Sequence, residues 1–138
     1  MAAAVHNLGL VRLIDLAMET GAAVGQLQVG LFKNPITFDA TDLIGVYEAQ
    51  ECDFSGYVRK NVDPSAVASE SGGQGIVIML SVVFQHNGGG VGNTVEGAFL
   101  LDATTDDLVA AADDPTPPVI DTSGETYTAT FTFRLGRA

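Results

Sequence analysis

The sequence predicts a mainly β domain, an antiparallel β-sandwich or jelly-roll-like fold with one N-terminal helix, and three observations predict it. Sixteen glycines and five prolines cut the 138 residues into short runs, the turn density of β structure. Only 17% of the residues are charged, so the Lys and Glu that promote long helices are scarce. The C-terminal run alternates without a break: Tyr127, Ala129, Phe131, Phe133 and Leu135 fall on one side, and Thr126, Thr128, Thr130, Thr132 and Arg134 on the other. The length is that of one domain able to bury its own core. Residues 1–25 read as an arm and helix, and 26–138 as the β-sandwich.

Taken in order, Asn7 to Gly21 predicts the helix. Leu10, Leu13, Ile14 and Ala17 fall at i, i+3, i+4 and i+7, while Arg12, Asp15 and Glu19 lie mostly off that stripe. Asn7 suits the cap at its start, and Gly21 the left-handed residue after its end. Gln26 to Phe32 predicts a half-buried strand, with Leu27, Val29 and Leu31 inward and Gln28 and Gly30 outward, closed by Asn34-Pro35. From Ile36 to Phe54 two readings stand: a short helical turn opened by Thr41 to Ile44, or an edge strand over Leu43 to Tyr47. Ser55 to Val62 predicts a strand anchored by Tyr57 and Val62, and the small polar stretch 63–75 a loop.

Ile76 to Phe84 is β-branched and nearly continuous in apolar residues, the pattern of a strand covered on both faces. The glycine-rich stretch Asn87 to Asn93 is expected to reverse the chain, with Val95 to Leu101 returning as the antiparallel partner of 76–84. Asp102 to Asp107 predicts an acidic turn and Leu108 to Ala112 a short strand. Asp113 to Pro118 is excluded from any central strand, because its three prolines lack a backbone donor.

Six Lys and Arg against 17 Asp and Glu give a formal charge of −11. Such a chain repels polyanions and anionic bilayers at range, so neither nucleic acid nor a membrane is expected as a partner. No run approaches the ~18 apolar residues of a spanning helix, and Met1 to Val5 lacks the cationic start of a secretory signal. The single Cys52 excludes an internal disulfide framework and a cysteine-based zinc site. Ten acids and no base fall within 61–133, whereas the bases are Arg12, Lys33, Arg59, Lys60, Arg134 and Arg137. That distribution suits a subunit with a basic docking side and an acidic outer side, unless interleaved strands mix the charges.

Motifs for chemistry are sparse. Gly92 to Gly97 has the glycine spacing of a phosphate loop, but Ala98 and Phe99 stand where Lys and Ser/Thr are needed, so the stretch reads as a turn. His6 and His86 have no second ligand at metal spacing and read as solvent-facing or interface residues. Cys52, between Glu51 and Asp53, is a poor nucleophile and an ordinary half-buried residue. Asp102, Asp106 and Asp107 are the weak metal candidates, with Asp113 and Asp114 as the alternative, as calcium takes oxygen ligands, although the spacing departs from the Asp-x-Asp-x-Asp-Gly loop. No cofactor and no catalytic residue is assigned.

Several segments resemble small virion proteins of tailed bacteriophages. They are Leu-Ile-Asp-Leu-Ala-Met-Glu-Thr-Gly at Leu13 to Gly21, Leu-Gln-Val-Gly-Leu-Phe at Leu27 to Phe32, Lys33-Asn34-Pro35-Ile36-Thr37 after it, and Phe-Ser-Gly-Tyr-Val-Arg at Phe54 to Arg59. The Thr-x-Thr-Phe-Thr-Phe ending, Thr128 to Phe133, is similar as well. About half the chain is covered; the glycine-rich stretch and the Pro-rich acidic segment are not. The resemblance implies a non-enzymatic structural protein of the virion, assembled in the host cytoplasm, as a capsid-decorating or tail-associated subunit. Its partners would be copies of itself in a homo-oligomer, a trimer being one form, and the major capsid protein or other virion proteins. Interface candidates are Leu10, Arg12 and Leu13 on the helix, Asn87, Gly89 and Val91 in the glycine-rich tip, and Arg134. The alternative is a tail or adsorption module that binds carbohydrate, with calcium in its acidic loops; a small hydrolase using the acids at 102–107 ranks third.

Overall fold

A computed structural model describes residues 4–5, 26–62, 69–70 and 76–135. Among these residues ten strands and one short helix run in the order β1 (Ala4–Val5), β2 (Leu27–Phe32), α1 (Ile44–Glu48), β3 (Lys60–Val62), β4 (Ser69–Glu70), β5 (Ile76–Gln85), β6 (Asn93–Thr94), β7 (Gly97–Asp102), β8 (Asp107–Asp113), β9 (Val119–Ile120) and β10 (Thr126–Leu135). Among the described residues all pairing is antiparallel. One sheet has the order β1-β8-β7-β2-β3, a second β10-β5-β4, and β6 with β9 forms a two-stranded ribbon. The mainly β, antiparallel class read from the sequence is what the chain adopts. The helix expected over 7–21, with Leu10, Arg12 and Leu13, and most of the loop at 63–75 lie outside the described residues.

Partner choice departs from expectation. β5 pairs with β10 along its whole length, from Thr126 opposite Gln85 to Leu135 opposite Ile76, and not with the strand after the glycine tip. That strand, β7, lies between β2 and β8. The physical reason is in the side chains. Every residue of β7 is buried, so it needs a covered position inside a sheet. β10 buries Tyr127, Ala129 and Phe131 while Thr126 and Thr128 stay exposed, which suits a sheet with one open face. The same holds for the described side chains of β5: Leu80 and Phe84 are buried, whereas Ser81 is exposed and Val83 is 55% exposed, so this part of the strand is covered on one face and not two.

A single apolar cluster joins the two larger sheets. Leu27, Val29, Leu31, Ala98, Leu100, Ala110 and Ala112 enter it from the five-stranded sheet, and Leu80, Phe84, Tyr127, Ala129 and Phe131 from the other. Full burial of each large side chain contributes about 1.5–3 kcal/mol, which makes this cluster the main apolar contribution to the fold.

The opposite face of the five-stranded sheet is covered too. A second cluster gathers Phe32, Phe99, Leu101, Leu108 and Ala111 beneath Tyr47 of α1, with Ile36 and Ile44 packed against it. Two cross-strand pairs make room for the rings: Gly30 is opposite Phe99, and Phe32 is opposite Gly97. A Cβ on Gly30 would overlap the Phe99 ring, and one on Gly97 would overlap the Ala112 carbonyl. Each aromatic lies over a neighbouring glycine, which shields that backbone from water. Gly30 is therefore buried, not outward-facing as alternation alone predicts. Tyr47 completes the cover, its ring centroid 5.6 Å from that of Phe32 and 5.7 Å from that of Phe99.

The stretch from Ile36 to Phe54 resolves to the helical reading. Its return to the sheet is fixed by backbone bonds from Lys33 N–H to the Gln50 carbonyl (2.8 Å) and from Cys52 N–H to the Leu31 carbonyl (2.9 Å). The strand expected over Ser55–Val62 shortens to β3. Gly56, at φ +92°, forms a turn in which Tyr57 N–H donates to the Phe54 carbonyl (2.8 Å), and that turn interrupts any extended run. Among the described residues no helix is long and apolar enough to cross a membrane.

Candidate functional site

Polar side chains concentrate at three places: the cover over the second cluster, the glycine-rich tip, and the acidic loops. At the cover, Arg59 Nε donates to Glu51 Oε1 (2.8 Å) and Nη2 to Glu51 Oε2 (2.7 Å), a two-point pairing, while Nη2 also reaches Glu48 Oε1 at 2.9 Å. The guanidinium lies 5.5 Å from the centre of the Phe99 ring. Tyr57 O–H donates to Glu51 Oε1 (2.6 Å) and its oxygen accepts from Leu31 N–H (3.0 Å). Burial, then the Glu51 carboxylate, hold the Tyr57 hydroxyl well above the usual tyrosine range. Hydrogen bonding to Glu51 raises Arg59 further above its ordinary value. This arrangement ties α1 and the 55–59 segment to β2. Nothing in residue spacing announces it, because Glu48, Glu51, Tyr57 and Arg59 meet through a helix end and an irregular turn.

Two of the bases expected to form a cationic docking side are thus already paired with acids. Arg59 is held by Glu48 and Glu51, and Lys33 Nζ is 2.8 Å from Asp53 Oδ1. Lys33, then Asn93, keep the Asp53 carboxyl below the usual range. On this part of the surface the strands interleave the charges. Arg12, Arg137 and the side chain of Arg134 lie outside the described residues.

The glycine-rich tip is built around His86, which is 1% exposed and not solvent-facing. Gly88 N–H donates to His86 Nδ1 (3.0 Å), so Nδ1 accepts and Nε2–H donates to the Val91 carbonyl (2.9 Å); the ring stacks on Phe54 at 6.2 Å. Val91 N–H donates to Ser55 Oγ (3.0 Å), and Ser55 N–H to the Val91 carbonyl (2.9 Å). Asn87 N–H donates to the Ser55 carbonyl (3.0 Å), and Asn87 Oδ1 accepts from Gly89 N–H (3.1 Å). Asn87, Gly89 and Val91 are therefore brought together, folded against the Ser55–Gly56 turn, with the Val91 side chain 48% exposed. The tip does not reverse β5 into a hairpin; it carries the chain from one sheet to the other.

The expected acidic turn joins β7 to β8. Asp102 is buried, and its Oδ1 accepts from Thr104 N–H (2.9 Å); Asp107 Oδ2 accepts from Thr105 Oγ1 (2.9 Å); Asp106 has a φ of +57°. The Asp102 and Asp107 carboxylates brace the turn through its own threonines. Among the described residues no three His, Cys, Asp or Glu side chains are placed to hold a metal ion together. Cys52 is buried at 3% exposure, deeper than the sequence suggests, and burial pushes its thiol up to about 12. Elsewhere Asp114, Pro115, Thr128 and Thr130 line an open depression of about 330 Å³. Tyr127 O–H donates to Asp114 Oδ2 (2.9 Å), and burial, then that bond, raise the Tyr127 hydroxyl.

No family model matches the chain, and neither a curated protein nor a solved structure matches it.

Proposed function

We propose that the chain is a non-enzymatic structural subunit of a tailed-phage particle. In this reading it is a β-sandwich that associates with copies of itself and decorates the capsid by binding the major capsid protein. The observation that carries the reading is where the phage-like segments fall. Leu27–Phe32 is β2, inside the five-stranded sheet; Phe54–Arg59 packs Tyr57 against the first cluster and lays Arg59 over Phe99 of the second; Thr128–Phe133 is most of β10. These three segments belong to the scaffold, as expected where a shared architecture serves assembly; Lys33–Thr37 is irregular, and Leu13–Gly21 lies outside the described residues. Two sheets contributing to one apolar cluster support the sandwich arrangement. Assembly would stabilise the particle by burying surface against neighbouring subunits.

The test is mass spectrometry of purified particles together with reconstruction of their surface. Recovery at a copy number set by capsid symmetry supports the reading, and absence from the particles retires it. The second reading, a carbohydrate-binding adsorption module, draws on the depression beside Asp114, whose carboxylate and threonine hydroxyls suit a sugar. A glycan array with and without calcium tests it, and silence in both removes it.

A further inference from the structure

β10 is the longest strand together with β5, yet in its sheet it has a neighbour on one side only among the described residues. The phase of its hydrogen bonding is set at its start, where His86 N–H donates to the Glu125 carbonyl (2.9 Å). Alternation along the antiparallel register then directs the backbone groups of Tyr127, Ala129 and Phe131 to Phe84, Val82 and Leu80. The N–H and C=O groups of Thr126, Thr128, Thr130 and Thr132 point to the outer edge. Protected edges are short, bulged, or interrupted by proline or lysine. This one is regular along its length and carries neither proline nor any charge from Thr126 to Phe133. At Thr128 and Thr130 it adjoins the open depression beside Asp114 and Pro115.

We infer that this edge pairs with the same edge of a second copy of the chain, antiparallel about a two-fold axis at Thr130. The outward backbone groups of the even-numbered residues satisfy one another when Thr130 faces Thr130 and Thr128 faces Thr132 of the other copy. Threonine pairs of this kind are favourable across strands. On the core-facing side the same register sets small Ala129 opposite large Phe131. A shift of the axis to Phe131 would instead set two phenylalanines against each other. The match of the strand to itself is what selects a second copy over an unrelated strand, and the product is one sheet running β4-β5-β10 through the axis and back. The net charge of −11 on each copy opposes association at low salt, so the dimer tightens as salt is added.

This inference rests on the self-association part of the subunit reading. It is tested by sedimentation velocity of the full chain at about 0.1 mM, with disulfide capture. A dimer is expected, and oxidised Thr130→Cys should cross-link while Thr128→Cys, which faces Thr132 of the other copy, should not. Buried Cys52 does not compete. Thr130→Lys, which sets two ammonium groups face to face, should weaken the dimer at least tenfold with an unchanged circular dichroism spectrum. A wild-type monomer, a trimer, equal cross-linking at 128 and 130, or a dimer indifferent to Thr130→Lys overturns the inference. A monomer that binds particles would leave the virion reading standing without it, and a dimer absent from particles would do the reverse.

Discussion

Replacing Gly30 with alanine is expected to destabilise the fold, although glycine-to-alanine changes in extended backbone ordinarily help. Restricting the unfolded chain contributes about 0.4–1 kcal/mol of stability at compatible sites. Against it stands the Phe99 ring, which occupies the space a Cβ would take. That ring has nowhere to withdraw, being fully buried between β2 and Tyr47 with the Arg59 guanidinium 5.5 Å away. Overpacking a filled core costs about 1–3 kcal/mol, so the balance is a net loss of roughly 1–2 kcal/mol. Urea denaturation should show a lower midpoint at unchanged slope. Gly45 is the control: it lies in α1 with open space around it, and Gly45→Ala should raise stability by about 0.5–1 kcal/mol. In Gly30→Ala/Phe99→Leu the alanine should cost less than in the wild-type background, because the smaller side chain frees the volume. A Gly30→Ala variant as stable as the wild type would refute the claim that ring and glycine are matched.

Three further outcomes follow from the polar contacts. Arg59→Met keeps an apolar stem over Phe99 but leaves Glu51 without its two-point partner, and should cost about 2 kcal/mol; Arg59→Met/Glu51→Met should recover part of that loss in a double-mutant cycle. His86→Phe preserves the stacking on Phe54 but removes the acceptor for Gly88 N–H, costing about 1–3 kcal/mol, and hydrogen exchange should quicken at 87–91; unchanged exchange there would count against a histidine-built tip. Burial raises Cys52 from an ordinary 9.0, and Tyr47 from 10.0, to about 12 in the folded state. A raised folded value means that the native state keeps its proton longer, so this stability is complete below pH 9 and is lost as pH rises toward 12. Urea midpoints should therefore fall across that window and fall less steeply in Cys52→Ala, while a thiol reagent at pH 8 should react with the wild type only on unfolding.

How far the sequence was legible depends on how local the cause is. The alternation in β10, the acidic turn at 102–107 and the break at Asp114–Pro118 each follow from side chains adjacent along the chain, although Asp113, expected in that break, still ends β8 opposite Gly97. The place of β7 inside a sheet, and the union of β5 with β10, involve residues tens of positions apart, and a period of two specifies faces without naming a neighbour. The candidate site was less legible still. Asn87, Gly89 and Val91 were recognisable as a tip, but the burial of His86 beneath them was not, since one histidine beside a glycine run has no period to betray it. Glu48, Glu51, Tyr57 and Arg59 carried no pattern before the fold brought them together.

A mainly β, antiparallel chain with threonines and core residues on opposite sides of its last strand follows from the residues alone, because period-two alternation is written residue by residue. Tertiary structure decided that the net charge of −11 is partly paired at Lys33 and Arg59, that Gly30 and Gly97 are sockets for aromatic rings, and that β10 stands at an edge. Each of these is a relation between distant segments, and a relation of that kind has a free energy only once the chain has folded.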